Sequence, residues 1–253
     1  MARIRYDEPT AAAFKAVREV PREGLSEWRE AVRRHLRPTP GTTLVDIGAG
    51  TGAFARAFSD WFDIGVLAVE PSAAMRDQIA RTPAIRVLEG NASALPLPNA
   101  SADAAWLSLV IHHIPDLRAA ADEIHRVLRP GGPVLIRQGF PGSIDDRVEL
   151  VRWFPETART AETFPSVEEV CTAFSVAGFR LDALEQVRET NPTGLADLLG
   201  RVDTFRLADT TMRNLTDEEF LRGKERLRRA VRRAEDSPNP ETRSNWLDLL
   251  VLR

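Results

Sequence analysis

The sequence predicts an α/β fold organised around a ligand-binding strand, loop and helix, and three observations predict it. Residues 44–47, Leu44-Val45-Asp46-Ile47, form a short apolar run interrupted only by Asp46 near its end, and Gly48-Ala49-Gly50-Thr51-Gly52 follows, with glycine at alternate positions. Residues 53–58 are then helix-forming. A second apolar run, residues 66–69, ends on the acidic Glu70. From there to about Gln138, short apolar runs alternate with helical segments, the rhythm of a parallel sheet covered by helices.

Glycine suits the loop because the chain must turn sharply and because a Cβ would block a ligand lying against the backbone. The helix start behind it presents N–H groups with no partner inside the helix. The spacing G-x-G-x-G departs from the dinucleotide fingerprint G-x-G-x-x-G, in which an acid about 20 residues further on takes a ribose hydroxyl. Glu70, at the tip of the second strand, can accept two hydrogen bonds from a ribose diol, which fits an adenosine-type ligand. Spacing alone does not choose between NAD and other adenosine cofactors.

With 253 residues, 43% hydrophobic and 28% charged, the chain can build one sizeable α/β domain, with or without a small cap. A net charge of −3 gives no general attraction for phosphate backbones or anionic membranes, so neither nucleic acid nor a membrane is an expected partner. Cys171 is the only cysteine, which excludes an intramolecular disulfide and points to a reducing compartment. No stretch approaches about 20 uninterrupted apolar residues, and the N-terminus shows no apolar signal core, so the expected location is cytoplasmic.

The elements follow in order. Two helical patterns, residues 10–19 and 25–36, are separated by Pro21 and read as a surface helix pair packed on the sheet, while the family resemblance carried by the residues that follow makes residues 1–40 an N-terminal helical lid. The first strand is residues 43–47, with Asp46 at the carboxyl end where open α/β sheets place ligands. Ser72 caps a helix over 73–81, and Thr82-Pro83 ends it. The third strand is 85–89 and the fourth 103–110, leading into Ile111-His112-His113-Ile114-Pro115-Asp116. Residues 116–128 carry apolar positions at helical spacing, Pro130-Gly131-Gly132 stops that helix, and 134–136 is the fifth strand. Ser166 caps a helix over 167–177, the sixth strand is 181–187, and the last is 246–252. Residues 140–165 and 191–243 read as cap insertions, the second mainly helical, between core segments 41–139, 166–190 and 244–253.

Val45-Asp46-Ile47-Gly48-Ala49-Gly50-Thr51-Gly52 with Glu70-Pro71-Ser72 resembles the class I S-adenosylmethionine-dependent methyltransferases, in particular the small-molecule group similar to ubiquinone/menaquinone methyltransferases. The resemblance covers roughly residues 43–138, including the paired histidines and the proline–glycine–glycine passage in the same order. It implies a Rossmann-like sheet of seven mostly parallel strands with an antiparallel last strand and helices on both faces. It also implies S-adenosylmethionine as cofactor and S-adenosylhomocysteine as product.

The resemblance further assigns candidate roles. Asp46 would support the cofactor's ammonium through water or backbone, a helix cap or structural acid being the alternative, with Gly48, Ala49, Gly50 and Gly52 as the backbone cradle and Glu70 with Pro71 at the ribose. Asn91 stands where the family usually has aspartate; its carbonyl oxygen can still accept from the adenine amino group, with Ala92 offering an N–H, although asparagine is also an ordinary turn residue. Leu109 and Val110 would pass beside the methyl group, and Tyr6 would lie against the methionine end. Arg18 is a weaker candidate. His112 or His113 is a candidate general base, since histidine titrates near neutrality; a packing role is the alternative. Neither has metal-ligand company, so no metal is expected.

Phe140, Trp153, Phe154, Phe205 and Met212, in the insertions, are candidate acceptor contacts and hint at a flat or hydrophobic acceptor. The basic run over 222–233 is interrupted by Glu225 and carries apolar residues at helical spacing, which reads as a solvated helix face. The expected activity is in-line methyl transfer to a small-molecule acceptor by a monomer or homodimer, helped by proximity and desolvation. A nicotinamide oxidoreductase is disfavoured because Tyr6 is the only tyrosine, leaving no catalytic Tyr-x-x-x-Lys pair. A cofactor-binding protein that is non-catalytic, or repurposed as sensor, scaffold or rearrangement catalyst, is the alternative.

Overall fold

A computed structural model describes residues 7–18, 22–145, 147–235 and 243–253, so Tyr6 lies outside the described residues. Seven strands, β1 (Thr43–Ile47), β2 (Gly65–Val69), β3 (Ile85–Leu88), β4 (Ala104–Ser108), β5 (Val134–Gln138), β6 (Leu181–Asn191) and β7 (Arg243–Leu252), form one sheet in the order β3-β2-β1-β4-β5-β7-β6. The first five pair in parallel, and β7 runs antiparallel to both β5 and β6. This is the mostly parallel, Rossmann-like sheet with an antiparallel last strand that the sequence predicts.

The apolar character of β1, β4 and β5 follows from burial on both faces. Alternate residues serve two cores. On one face Val45, Ile47, Leu107 and Ile136 meet Ala120 and Ile124 of α5 (Leu117–Val127) and Phe174 of α8 (Val167–Val176). On the other, Leu44, Trp106 and Leu135 meet Trp28 of α2 (Ser26–Leu36) and Phe58 of α3 (Ala53–Phe62). Trp28 and Trp106 are fully buried, ring edge to ring face with centroids 6.1 Å apart. Each such side chain contributes roughly 2–3 kcal/mol by leaving water. The predicted caps form as well: Ser72 Oγ accepts from the Met75 N–H at 3.2 Å, and Ser166 with Glu169 makes a full capping box; Asp116 Oδ1 adds a third cap by accepting from the N–H groups of Arg118 and Ala119.

A third core lies above the carboxyl ends of the parallel strands. It joins Ala13 and Val17 of α1 (Glu8–Arg18) to Leu198, Val202 and Phe205 of α9 (Leu195–Ala208) and to Phe220 and Leu227 of α11 (Asp217–Glu235). The two N-terminal helices therefore part company: α2 packs on the sheet and α1 packs with the cap. The basic run on α11 is ion-paired, Lys224 with Asp203, Arg226 with Glu156 and Arg229 with Glu225.

Several boundaries differ from the sequence prediction. The helix after Ser72, α4 (Ala73–Arg76), stops early because Arg76 folds back to donate to the carbonyls of Glu70 and Pro71, and Ile79 then packs on Gly52. β6 runs on to Asn191 and β7 begins at Arg243, because their polar ends pair with one another beyond the apolar stretch. Residues 139–165 contain α6 (Glu149–Trp153), a 3-10 turn (Pro155–Thr157) and α7 (Ala158–Ala161); α10 (Thr210–Arg213) links α9 to α11. Among the described residues, no helix is long and apolar enough to cross a membrane.

Candidate active site

The loop after β1 is held by backbone bonds: the N–H groups of Gly48 and Ala49 both donate to the Val69 carbonyl, at 2.8 and 3.1 Å. Gly48 has φ of +70°, and a Cβ there would lie 2.5 Å from Val110 Cγ2. Only glycine meets both demands. Val110 thus forms the floor of the loop rather than a wall of the space above it.

Glu70 sits beneath that loop, 6% exposed, with one carboxylate oxygen accepting from the Gly50 N–H and the other from the Ser72 N–H, both at 2.9 Å. Burial raises its pKa, opposed by those two N–H groups and by Arg76. Each oxygen keeps a lone pair, so the carboxylate remains able to accept further bonds. Asp46, 2% exposed, takes the N–H of Ala55 in α3 while its Oδ2 has no hydrogen-bond partner among the described residues. Burial, and then the charge of Glu70, push its pKa up to about 7. A buried carboxylate oxygen without a partner, at the edge of a cavity, is complementary to a cationic donor.

That cavity measures about 750 Å³, within the range of small-molecule sites. It brings together Asp46, Gly48, Ala49, Gly50, Gly52, Leu109, His112, His113 and Phe205 of the sequence candidates. Leu109 adopts φ of +52°, with its N–H on the Arg137 carbonyl, as the chain swings from β4 toward the histidines. His112 and His113 occupy a 3-10 turn (Ile111–His113), their ring centroids 4.1 Å apart. His112 stacks on Phe164 at 4.1 Å with 11° between the planes.

The remaining candidates lie elsewhere. Pro71 is exposed at the surface, and Asn91 is an exposed turn residue whose Oδ1 accepts from the Ser93 N–H at 3.0 Å. Ala92 is buried in the core. Phe140 is 1% exposed in the sheet core, and Phe154 and Met212 are fully buried in the cap core, so these do not face the cavity. Trp153 packs on the cap core. Phe205 alone of the five aromatic or sulfur candidates lines the cavity.

Sequence reasoning missed the polar wall at the ends of β5, β6 and β7. Arg137, 5% exposed, forms a buried ion pair with Glu189, donates to Ser108 Oγ at 3.1 Å, and lies over the rings of Trp28 and Phe54 at 5.2 and 5.3 Å. Asn245 Nδ2 donates to Glu189 at 2.6 Å, and Arg243 grips both carboxylate oxygens of Glu149 at 2.5 and 2.7 Å. Arg137, Glu189, Ser108, Asn245, Arg243 and Glu149 all line the cavity. The signal available was the polar pair Arg137-Gln138 closing an otherwise apolar strand. Phe14 and Lys15 of α1 also line it, and a Cβ on Gly50 would lie 3.5 Å from the Phe14 ring.

Comparison with known proteins agrees with this geometry. Residues 45–136 match the family model of the methyltransferase domain. Over 121 residues the chain is 37% identical to a ubiquinone/menaquinone biosynthesis C-methyltransferase of Caulobacter vibrioides, covering 43% of this chain and 48% of that protein. It is 32% identical to a malonyl-[acyl-carrier protein] O-methyltransferase of Serratia marcescens over 60% of this chain and 58% of the relative. The chain thus spans about half the length of the curated relatives it matches. A solved structure from Anabaena variabilis, described as a methyltransferase from an antibiotic biosynthesis pathway, shares the fold with a TM-score of 0.70 at 22% identity, covering 89% of this chain and 96% of the other. Residues 45–136 of the chain are thus similar to the methyltransferase domain, and they carry the glycine loop over a buried acid within a sheet of order β3-β2-β1-β4-β5-β7-β6.

Proposed function

We propose that the chain transfers a methyl group from S-adenosylmethionine to a small-molecule acceptor, leaving S-adenosylhomocysteine. The observation that carries this reading is the Asp46 carboxylate, whose Oδ2 has no hydrogen-bond partner among the described residues and which opens with the Gly48–Gly52 loop onto the same cavity as the histidine pair. When bound, S-adenosylmethionine supplies an electrophilic methyl on a cationic sulfur. Asp46 receives its ammonium, and the glycine loop allows close backbone approach. Glu70 holds the Gly50 N–H in place and accepts from the ribose with its remaining lone pairs. The cavity walls exclude water and align the acceptor, which is where most of the rate arises in a reaction with a good leaving group.

His112, rather than His113, is the proposed base for an acceptor that loses a proton, because its ring is held by Phe164 and approached by Gln138. The acceptor half of the cavity joins polar strand ends, Arg137, Glu189 and Asn245, to apolar Leu150, Val151 and Phe205. A molecule with a polar head and an apolar body suits it better than a wholly hydrophobic one.

The test is calorimetric binding of S-adenosylmethionine, S-adenosylhomocysteine and NAD to the wild type and to Glu70→Ala, followed by detection of S-adenosylhomocysteine with an acceptor panel. Binding of the first two, weakened in the variant and absent for NAD, supports the reading. NAD binding alone would overturn it. Tight cofactor binding with no S-adenosylhomocysteine formed across the panel would favour a non-catalytic or repurposed protein.

A further inference from the structure

We infer that Gln138 is a positioning residue that holds the His112 imidazole in the tautomer with its proton on Nδ1, so that Nε2 carries the lone pair. The inference rests on the base role proposed above for His112. Gln138 ends β5 and is 1% exposed, so its amide has no bulk water to turn toward. Strand alternation puts it on the face opposite Arg137, beside the turn that carries the histidines.

Two contacts set the amide's direction. Gln138 Nε2 donates to the Gly139 carbonyl at 3.3 Å, and its Oε1 lies 3.4 Å from His112 Nδ1. Reversing the amide would set two acceptor oxygens, Oε1 and the Gly139 carbonyl, against each other. The Gly139 carbonyl therefore decides which end faces the histidine. An amide oxygen only accepts, so a neutral imidazole meets it with an N–H at Nδ1. The ring plane is fixed separately, by the 4.1 Å stack on Phe164.

The consequence is chemical. The proton given up by an acceptor ends on Nε2, and the imidazolium so formed strengthens its Nδ1–H bond to the Gln138 oxygen, because a charged donor makes the stronger bond. An oriented tautomer also spares the ring a reorientation before each turnover.

The test is nitrogen NMR of protein labelled at histidine, at a pH where the imidazoles are neutral, with His112→Gln identifying the His112 signals. The expected result is a protonated Nδ1 and an unprotonated Nε2 in the wild type. Gln138→Met should release the ring to a mixture of tautomers, and Gln138→Glu should keep the Nδ1 proton and raise the His112 titration midpoint by about one pH unit or more. A wild-type Nε2–H tautomer, or an unchanged tautomer in Gln138→Met, overturns the inference. If Gln138→Met does not fold, as judged by circular dichroism, an unmoved midpoint in the near-isosteric Gln138→Glu overturns it instead. Neither acceptor nor cofactor is needed, so the two readings fail separately: turnover retained in His112→Gln would remove the base role and leave the tautomer result standing.

Discussion

Replacing Asp46 by asparagine tests the cofactor cradle at its most specific point. The carboxylate is buried, its Oδ2 is unpartnered, and its pKa stands at about 7. If the cofactor's ammonium requires the ionised form, the apparent dissociation constant scales inversely with the ionised fraction. That fraction is roughly 0.03 at pH 5.5 and 0.5 at pH 7, so affinity should rise on the order of 15-fold across this window. Calorimetric titration of S-adenosylhomocysteine at pH 5.5, 6.25 and 7 should show the rise, with proton release on binding at pH 6.25. Asp46→Asn should bind weakly and with a flat profile. A second readout follows from the same linkage. A folded-state pKa raised from 3.8 to about 7 gives stability that is present below about pH 4 and lost as pH rises through 7. At 1.36 kcal/mol per pH unit this is at most roughly 4 kcal/mol, so the unliganded Asp46→Asn protein should melt several degrees higher than wild type at pH 8. Equal wild-type affinity at pH 5.5 and 7, or an Asp46→Asn protein that binds like wild type, would refute the reasoning.

Three further outcomes are expected. Gly48→Ala combines a left-handed backbone with a Cβ 2.5 Å from Val110, so it should abolish measurable cofactor binding and lower stability by about 1–3 kcal/mol in chemical denaturation. Phe154→Ala should cost about 3–5 kcal/mol of stability, since the ring is fully buried and stacked on Phe220, yet leave the affinity for S-adenosylhomocysteine within a few-fold of wild type; a large binding defect in a well-folded variant would return Phe154 to the site. Arg137→Met and Glu189→Met should each destabilise by about 3–5 kcal/mol by stranding a buried charge, whereas the double variant should recover much of the loss. Additive losses in that cycle would show that the ion pair is not a coupled unit.

The glycine loop and the strand that leads into it were legible because their demands are local. A left-handed loop needs Gly48 and Gly52, the acid must end the strand, and Ser72 and Ser166 announce helix starts by their own hydrogen bonds. The polar wall of the cavity was not, because it is assembled across the chain. Glu189, Asn245 and Arg137 come from three strands and meet only when β7 is inserted between β5 and β6. Their polar strand ends break the apolar pattern that marks β6 and β7 in the sequence, so that pattern predicts both strands shorter than they are. The aromatic residues of the insertions were conspicuous in sequence, but Phe140, Phe154 and Met212 serve the cores. Bulk in a loop reports burial and leaves open which side of the wall is being filled.

Helix α1 meets the glycine loop through Phe14 and, on its other side, shares a core with α9 and α11. Departure of a spent cofactor past this helix would therefore loosen the roof over the acceptor as well, and the two compartments should exchange with solvent in step. That coupling favours a compulsory order, in which the cofactor enters first and leaves last. Hydrogen exchange in α1 and α9 should then slow together when S-adenosylhomocysteine is added, and protection of α1 alone would separate the two doors.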